Sequence, residues 1–189
     1  EAAARDAGHG QGRLRITAID IGQGDSLLVD FPDDEVMLID GGGAAASEFD
    51  PAERVLLPLL RGRRRDHVNV VVVTHPHPDH ATGVLRLLGR IPVDELWLPT
   101  LAGEGSGVLR ELERAAAQAG ARVRTSPELC AAPRQHGGVT LSVLSPCPAP
   151  LPGDNLNDWS LVLHLRYGHR AAMLTGDAEA TVEQRLLAR

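Results

Sequence analysis

Residues 69–80 read NVVVVTHPHPDH, an apolar run followed at once by a histidine-rich segment. Its first half, residues 69–74, is a continuous run of mostly β-branched side chains, which is the pattern of a strand covered on both faces of a sheet. Its second half places three histidines and one aspartate within six residues, directly after that strand. Because imidazole and carboxylate groups at this spacing can converge on one point, the sequence predicts a metal-binding loop at the end of a buried strand.

Each ligand of this loop has an expected place. His75 and His77 are two residues apart, so both can reach one metal ion from the same side of an extended turn. Asp79 and His80 open the next helix, which we expect over residues 81–88, and they can face a second ion. The alternative is a polar surface loop with accidental histidines. Three of the eight histidines fall in one six-residue window after an apolar strand, which argues against that alternative.

The length and composition predict one folded domain. The chain has 189 residues, of which 43% are hydrophobic and 23% charged, enough for a sizeable core. No stretch of 18 apolar residues is present, which excludes a membrane span inside this segment. Residues 1–13 are polar and rich in Ala and Gly, and we expect a disordered linker there, followed by a domain over residues 14–189. Because the first residue is Glu1 rather than Met, we expect a fragment of a larger protein.

Strands and helices alternate along this domain without an internal repeat. Three strands are expected first, over residues 14–20, 26–31 and 35–40. Helices are expected over residues 51–61, 108–119 and 178–187, and further strands over residues 93–98, 139–144, 159–166 and 170–175, with a short strand near Val123. An early meander followed by strand–helix alternation predicts an α/β sandwich with sheets inside and helices outside.

The charge pattern limits the class of partner. The net charge is −6, and all 19 basic residues are arginines. A domain that holds nucleic acid on a broad basic surface usually has the opposite sign, so contact with a polyanion would need a local site where metal ions supply positive charge. The basic cluster at residues 61–65 is interpreted as a solvated connection between a helix and a strand, with a phosphate-contacting loop as the alternative.

Two further features have simple interpretations. Cys130 and Cys147 are 17 residues apart without CxxC spacing, which argues against a cysteine-based zinc site. They could form one disulfide in an oxidising compartment, and the sequence leaves this open. His136 precedes two glycines and is interpreted as part of a surface turn.

An HxHxDH sequence between a strand and a helix resembles the signature of the metallo-β-lactamase superfamily. Two further segments match that family in the same order, LIDGG at residues 38–42 and LTGD at residues 174–177. The resemblance implies an αββα sandwich in which Asp177 bridges two metal ions and Asp40 orients the histidine loop. Alone, either aspartate could be an ordinary turn former beside glycine. Three matches in order argue against coincidence.

A narrower resemblance covers nearly the whole domain. Residues 18–26, AIDIGQGDS, and residues 157–163, NDWSLVL, are similar to the soluble domain of the ComEC family, membrane channel proteins of natural transformation that carry single-stranded DNA into the cell. The resemblance implies that five residues support the metal ligands or contact the substrate: Asp20, Gln23, Asp25, Asn157 and Ser160. The alternatives are a tight hairpin turn for the first segment and a capped loop before a strand for the second.

Two departures from the superfamily pattern affect the metal site. Superfamily hydrolases supply a third histidine before the strand at Trp159, where this chain reads NLND over residues 155–158, as is usual in the ComEC family. An amide oxygen is a harder ligand than imidazole and favours Mn²⁺ or Mg²⁺ relative to Zn²⁺. The family also has another strand and a histidine-bearing loop after the last helix, whereas this sequence stops at Arg189. We therefore expect a C-terminally truncated sandwich that binds metal weakly or not at all as it stands.

The resemblance implies a metal-dependent DNA nuclease, a phosphodiesterase domain on the periplasmic or extracytoplasmic side of a membrane-anchored ComEC-type protein. It would degrade the strand that is not imported, and its partners would be DNA, single- or double-stranded, and the channel portion of the same polypeptide. One or two divalent ions, Mn²⁺ or Zn²⁺ with Mg²⁺ as an alternative, would be held by His75, His77, Asp79, His80 and Asp177. Asp79 is the expected catalytic residue, which orients the attacking water or accepts its proton.

Two other functions fit the sequence. One is a different hydrolase of the same superfamily, acting on a thioester, lactone or lactam. The acidic charge agrees with that activity, but the asparagine segment in place of a third histidine argues against zinc-lactamase chemistry. The other is a non-catalytic module that binds a partner or gates the channel. The intact HxHxDH argues against this function, because a structural role needs no such ligand set.

Overall fold

The computed structural model of the chain describes residues 12–45, 47–102 and 107–188. Within these ranges the chain forms two stacked β-sheets flanked by helices. Most of the predicted linker, residues 1–11, lies outside the described residues. No helix in the described ranges is both long and apolar enough to cross a membrane.

The first sheet has six strands, and their order in the sheet follows their order in the chain. They are β1 (Arg15–Ala18), β2 (Leu27–Asp30), β3 (Val36–Ile39), β4 (Val68–Val72), β5 (Val93–Leu98) and β6 (Arg122–Thr125). The pairs β1–β2 and β2–β3 are antiparallel, and the remaining pairs are parallel. The strands β3 to β6 therefore all end at the same edge of the sheet, which we call the carboxyl edge.

The second sheet has four antiparallel strands in the order β10-β9-β8-β7. They are β7 (Arg134–His136), β8 (Val139–Ser145), β9 (Val162–Tyr167) and β10 (Arg170–Leu174). Burial alternates along β8, with Val139, Leu141 and Val143 turned inward, because successive side chains of a strand point to opposite faces. The inward face packs against the first sheet.

The helices connect the strands. A π-helical turn (Ala52–Leu56) leads directly into α1 (Leu57–Gly62), and the others are α2 (Pro78–Leu87), α3 (Gly107–Ala119), α4 (Ser126–Leu129) and α5 (Ala180–Leu187). The helix predicted after the histidine loop begins three residues early, because Pro78 suits the first position of a helix. As a result, Asp79 and His80 lie within the first turn of α2 rather than before it.

Two hydrophobic cores hold the layers together. One lies between the sheets and includes Met37, Trp97 and Leu163, and the other lies between the first sheet and the helices and includes Leu56 and Leu112. The strand β4 contributes to both cores, which explains its continuous apolar sequence. The helix α5 lies beside β8 of the second sheet. The predicted αββα arrangement of the metallo-β-lactamase type is confirmed.

Two of our predictions are wrong at the local level. His136 lies in β7 rather than in a surface turn, with its ring stacked on Phe31 and its Nδ1 2.5 Å from Glu35 Oε2. The connection at residues 61–65 is not merely solvated, because Arg63 and Arg65 both bind the buried carboxylate of Asp30. In both cases the partner is far away in sequence.

Cys130 and Cys147 form a disulfide. Cys130 caps the end of α4, and Cys147 lies in the loop after β8. The bond therefore ties the connection between the two sheets to the second sheet, in a stretch that the sequence pattern describes as irregular.

Candidate metal centre

Three side chains come together at the carboxyl edge of the first sheet. One ligand atom from each of His75, His80 and Asp177 lies within 4.8 Å of the other two. The Nε2 atom of His80 is 3.4 Å from Asp177 Oδ1, and the Nε2 atom of His75 is 4.0 Å from Asp177 Oδ2. Both imidazoles are buried, whereas the Asp177 side chain is 38% exposed, so the cluster opens to solvent on the side of the carboxylate.

Backbone hydrogen bonds fix the strand ends that carry these ligands. The Asp40 N–H donates to Val72 O at 2.8 Å, which continues the pairing of β3 with β4. The Leu161 N–H donates to Thr74 O at 3.0 Å, which ties the second sheet to the histidine loop. A Cβ atom at Gly176 would press on the Thr74 side chain. The loop that carries Asp177 therefore packs directly against the loop that carries the histidines.

Asp40 is the buried centre of this arrangement. Its carboxylate accepts hydrogen bonds from the Thr74 N–H (2.8 Å), the Thr74 hydroxyl (2.7 Å) and His80 Nδ1 (2.8 Å). Its backbone has φ 57, a left-handed conformation that costs a non-glycine residue about 1–3 kcal/mol. Strain of this kind persists only where the surroundings determine it, and here three hydrogen bonds do so.

The same network sets the tautomer of both histidines. Because the Thr74 hydroxyl donates to Asp40, it can accept a hydrogen bond from His75 Nδ1, which lies 3.1 Å away. His80 Nδ1 likewise carries the proton that it shares with Asp40. Assigned in this way, the Nε2 atom of each ring faces Asp177 and is the nitrogen that the ring can offer to a metal ion. Thr74 was not among the predicted site residues, and its position beside the first histidine was the only signal in the sequence.

The environment separates the pKa values of the two histidines. Burial, together with the neighbouring His80 and His77, lowers the pKa of His75 to about 3. Burial alone would also lower the pKa of His80, but the hydrogen bond to Asp40 and the charges of Asp40, Asp177 and Asp79 raise it to about 9. Burial raises the pKa of Asp40, against the hydrogen bonds and charge of its partners. His75 is therefore neutral at neutral pH, whereas His80 is protonated in the absence of a metal ion and must release its Nε2 proton to bind one.

His77 and Asp79 lie next to the three-residue cluster rather than in it. The Nδ1 atom of His77 is 3.0 Å from His75 Nε2, and the two rings are nearly perpendicular. Asp79 is half-buried in the first turn of α2. Of the five predicted ligands, three therefore form one compact site. His77 is in contact with His75 of this site, and Asp79 is the residue directly before His80.

The loop at residues 20–25 reaches the site through its backbone. The N–H groups of Gly42 and Gly43 donate to Asp25 O at 3.1 Å and to Gln23 O at 3.0 Å. A Cβ atom at Gly24 would collide with the backbone of Asp79, so this glycine is required for close packing. The side chains of Asp20, Gln23 and Asp25 are exposed and have no hydrogen bond to another described residue. They are thus free to contact a ligand, and their role at the site stays a prediction.

Ser160 and Asn157 lie on the other side. Ser160 is fully buried, and its Oγ accepts a hydrogen bond from the Asp177 N–H at 3.2 Å. The Asn157 Nδ2 donates to Glu179 at 2.9 Å, while its Oδ1 is buried without a hydrogen-bond partner in the described part of the chain. Glu179 was missed by the sequence analysis, although it lies only two residues after Asp177. The Asn157 amide oxygen is therefore available to act as an additional metal ligand.

The donor set fits a divalent metal ion. Two imidazole nitrogens and one carboxylate are the ligands that transition metals take in hydrolytic sites, where an open coordination position remains for water or substrate. Each of the two histidines has its second nitrogen fixed by a hydrogen bond, as ligating histidines in proteins almost always have. His75, His80 and Asp177 would hold one ion, and the exposed side of Asp177 would leave it accessible.

Comparison with known proteins agrees with this fold. A curated relative, "ComE operon protein 3" of Bacillus subtilis (strain 168), is 30% identical over 185 residues, and the match covers 91% of this chain but 23% of that protein. The chain thus spans about a quarter of the length of this relative. Among solved structures, the diiron β-hydroxylase CmlA from Streptomyces venezuelae matches with a TM-score of 0.52 and 16% identity, covering 92% of this chain and 32% of that one. At this identity the likeness shows the fold alone.

A family model described as "Metallo-beta-lactamase superfamily" matches residues 19–189, which is most of the chain. The matched range contains the strand ends and loops that carry His75, His80, Asp177 and Asp40. Members of this superfamily are metal-dependent hydrolases that bind divalent ions. With its αββα sandwich and its histidine–aspartate centre at the carboxyl edge, the chain belongs to the metallo-β-lactamase superfamily and is a hydrolase-like domain related to a ComE operon protein.

Proposed function

We propose that this domain is a metal-dependent DNA phosphodiesterase, the nuclease domain of a ComEC-type protein that degrades the strand not imported during DNA uptake. The observation that carries the proposal is the convergence of the His75, His80 and Asp177 ligand atoms within 4.8 Å of one another. The half-buried Asp79 lies beside this cluster.

The residues of the chain have distinct roles in this proposal. A bound divalent ion supplies activation of water near neutral pH and neutralisation of phosphate charge, which an acidic domain otherwise lacks. His75, His80 and Asp177 would hold such an ion. Asp79 orients the attacking water and accepts its proton. Asp40 and Thr74 keep both imidazoles in the ligating tautomer, so their role is positioning.

The metal preference rests on Asn157. Imidazole ligands suit zinc and other transition metals, whereas an amide oxygen is a hard donor that suits Mn²⁺ or Mg²⁺. The buried, unpaired Oδ1 of Asn157 supports a site completed by such an oxygen. We therefore propose Mn²⁺ as the preferred ion, with one or two ions bound, and Zn²⁺ or Mg²⁺ as substitutes.

The location and partners of the domain belong to the same proposal. The 30% identity to a ComE operon protein supports a place in a membrane-anchored competence protein, with the channel portion of the same polypeptide as a partner. The disulfide between Cys130 and Cys147 supports the periplasmic or extracytoplasmic side, because disulfides persist in oxidising compartments.

Cleavage of labelled single- and double-stranded DNA tests the activity. The full-length protein that contains this domain should cleave DNA with Mn²⁺, and EDTA should abolish the cleavage. Asp79→Asn and Asp177→Asn should each lower the rate by about 1000-fold or more, because the metal and the proton acceptor each contribute several kcal/mol. Asp94→Asn, which removes one carboxylate that is 58% exposed and bound to His67, should leave the rate unchanged.

Other outcomes would replace the proposal. Cleavage that survives both site substitutions would come from a contaminating nuclease and would overturn the assignment. Hydrolysis of a thioester, lactone or lactam without cleavage of DNA would indicate another hydrolase of the superfamily. A protein that neither binds metal nor hydrolyses any of these substrates would be a non-catalytic binding module.

A further inference from the structure

A second candidate site lies at the opposite end of the first sheet. A cavity of about 390 Å³ opens where β4 and β5 begin, and four arginines line it: Arg61, Arg64, Arg65 and Arg90. The metal centre is at the carboxyl edge, where these strands end. Since β4 has five residues and a strand rises about 3.3 Å per residue, the two sites are about 15–20 Å apart. The proposed nuclease mechanism makes no use of this cavity.

Two of the four arginines are already held by carboxylates. Arg65 is buried, and its guanidinium donates to Asp30 Oδ1 at 2.9 Å and to Asp34 O at 2.8 Å. Arg90 lies 2.9 Å from Asp50 and 3.1 Å from Glu53. These two side chains form the fixed wall of the cavity, and their positions are determined by the fold.

The other two arginines are unpaired. Arg61 and Arg64 are exposed, and neither side chain has a hydrogen bond or ion pair to any residue in the described ranges. The Arg64 backbone has φ 54, in a left-handed turn that follows α1, where glycine or asparagine is the usual residue. Nothing in the packing accounts for a long cationic side chain at this strained position, so the guanidinium itself is the feature to explain.

The five arginines at this end (Arg61, Arg63, Arg64, Arg65 and Arg90) outnumber the four carboxylates that pair with them or line the cavity (Asp30, Asp50, Glu53 and Asp66), so a small positive excess remains in a domain whose net charge is −6. Asp30 is shared by Arg63 and Arg65, so that buried group keeps a net positive charge. Asp66 is the only acidic residue that lines the cavity among those described, and it is fully exposed beside His67. The cavity is therefore a local site for an anion, which is the kind of site that an acidic domain needs in order to hold a polyanion.

We infer that this cavity binds a backbone phosphate of a nucleic-acid strand whose neighbouring nucleotides reach the metal centre. The identity of the ligand rests on the proposed function. Arginine forks match phosphate geometry, and no aromatic side chain lines the cavity, so the strand is held by its backbone without base recognition. The exposed large apolar residues Phe49, Leu151, Met173 and Leu187 all lie outside the cavity lining, which favours a strand over a lipid surface.

Binding of a labelled oligothymidylate in EDTA tests the inference without cleavage. The variant Arg61→Gln/Arg64→Asn should raise the Kd by about 5- to 20-fold. The slope of log K against log salt should fall by about 0.7, because Arg61 and Arg64 share one phosphate and each lost phosphate contact contributes about 0.7 on a single strand. Inorganic phosphate should compete with the oligonucleotide for the wild-type protein. Arg110→Gln/Arg114→Gln, an equal charge change on exposed positions of α3, is the matched control and should change the Kd by less than about 2-fold.

The outcomes separate this inference from the nuclease assignment. Equal Kd values and salt slopes for the wild type and the Arg61/Arg64 variant would overturn the inference, even if the wild type cleaves DNA. Loss of binding in that variant, together with wild-type protein that never cleaves DNA, would support the inference and overturn the nuclease proposal alone. Vesicles of phosphatidylglycerol that bind the wild type but not the variant, with oligonucleotide binding unchanged, would assign the cavity to lipid headgroups and overturn the inference. Asparagine tolerates the left-handed turn at Arg64, so the variant should remain folded.

Discussion

The two ends of the first sheet are each organised around one buried aspartate, and their chemistry differs. At the carboxyl edge Asp40 binds His80 and the Thr74 hydroxyl. At the opposite end Asp30 binds Arg63 at 2.6 Å and Arg65 at 2.9 Å. Both aspartates are almost completely buried, at 1% and 2% exposure. The difference lies in what their partners can still bind.

An imidazole has two nitrogens, so a hydrogen bond to Asp40 through Nδ1 leaves His80 Nε2 free to act as a ligand. A guanidinium has donors only, so Arg63 and Arg65 neutralise Asp30 and cannot ligate a metal ion. The buried carboxylate of Asp40 thus orients a metal ligand, whereas the buried carboxylate of Asp30 stabilises the fold. A buried aspartate alone does not indicate function, whereas the partner that it holds does.

Removal of the Asp30 carboxylate should lower the free energy of unfolding more than removal of the Asp40 carboxylate at the other end of the sheet. Asp30→Ala removes the carboxylate that Arg63 and Arg65 share and leaves a buried guanidinium uncompensated, which costs about 3–5 kcal/mol. Urea unfolding of the metal-free protein measures the change. The control is Asp66→Ala, whose side chain is fully exposed and whose loss should cost less than about 0.5 kcal/mol. A loss below about 1 kcal/mol for Asp30→Ala would show that this end contributes little to stability.

The two ends also differ in how much of them the sequence could predict. At the carboxyl edge His75, His77, Asp79 and His80 lie within six residues after a buried strand, so their spacing indicated a metal site, whereas the role of Asp40 came from the family resemblance. The αββα arrangement followed from the same alternation of elements. The local sequence pattern did not predict that α2 begins at Pro78, and this start places Asp79 inside the first helical turn.

At the Asp30 end the partners are 33 and 35 residues apart in sequence, and Arg63 and Arg65 follow a regular helix without any motif. His136 binds Glu35 across 101 residues, so its strand also had no local signal. Long-range ion pairs depend on which strands become neighbours, and composition or spacing does not encode that. For this reason the prediction of a solvated basic connection at residues 61–65 was wrong.

Substitution of Asp40 should lower the affinity for metal ions more than it lowers the stability of the fold. Asp40→Asn keeps the size of the side chain but replaces one carboxylate oxygen with an amide nitrogen. It therefore cannot accept at both the Oδ1 position, which faces the Thr74 N–H, and the Oδ2 position, which faces the Thr74 hydroxyl and His80. Loss of such a supporting hydrogen bond lowers metal affinity by about 10- to 100-fold. Titration with Mn²⁺ and Zn²⁺ followed by calorimetry measures the effect, and Asp94→Asn at the opposite end is the control. An unchanged affinity would show that His80 needs no orienting partner.

The ion pair of Asp154 with Arg185 is more exposed to solvent than the buried pairs at these two ends. The Asp154 side chain is 3% exposed and the Arg185 side chain is 39% exposed, so the carboxylate is buried and the guanidinium is partly in solvent. Two hydrogen bonds of 3.0 and 2.7 Å join them, and Arg185 lies on α5, so the pair fastens that helix to the loop before residue 155. Burial would raise the pKa of Asp154, but the hydrogen bonds from Arg185 and from the Leu151 N–H lower it below the ordinary value.

The lowered pKa of Asp154 determines how the stability that this pair contributes changes with pH. The expected change in stability is smaller than that for Asp30. Because the folded pKa of Asp154 is below its unfolded value of about 3.9, the pair stabilises the protein fully above that value and less as the pH falls through the folded pKa. Asp154→Asn should cost about 1 kcal/mol at pH 7, since solvent screens the exposed Arg185, and the cost should shrink below about pH 4. Urea unfolding of both proteins at pH 7 and pH 3 measures this. The double variant with Arg185→Gln should be no less stable than Asp154→Asn alone. A cost that stays equal at both pH values would mean that packing at Asp154, rather than its charge, holds α5.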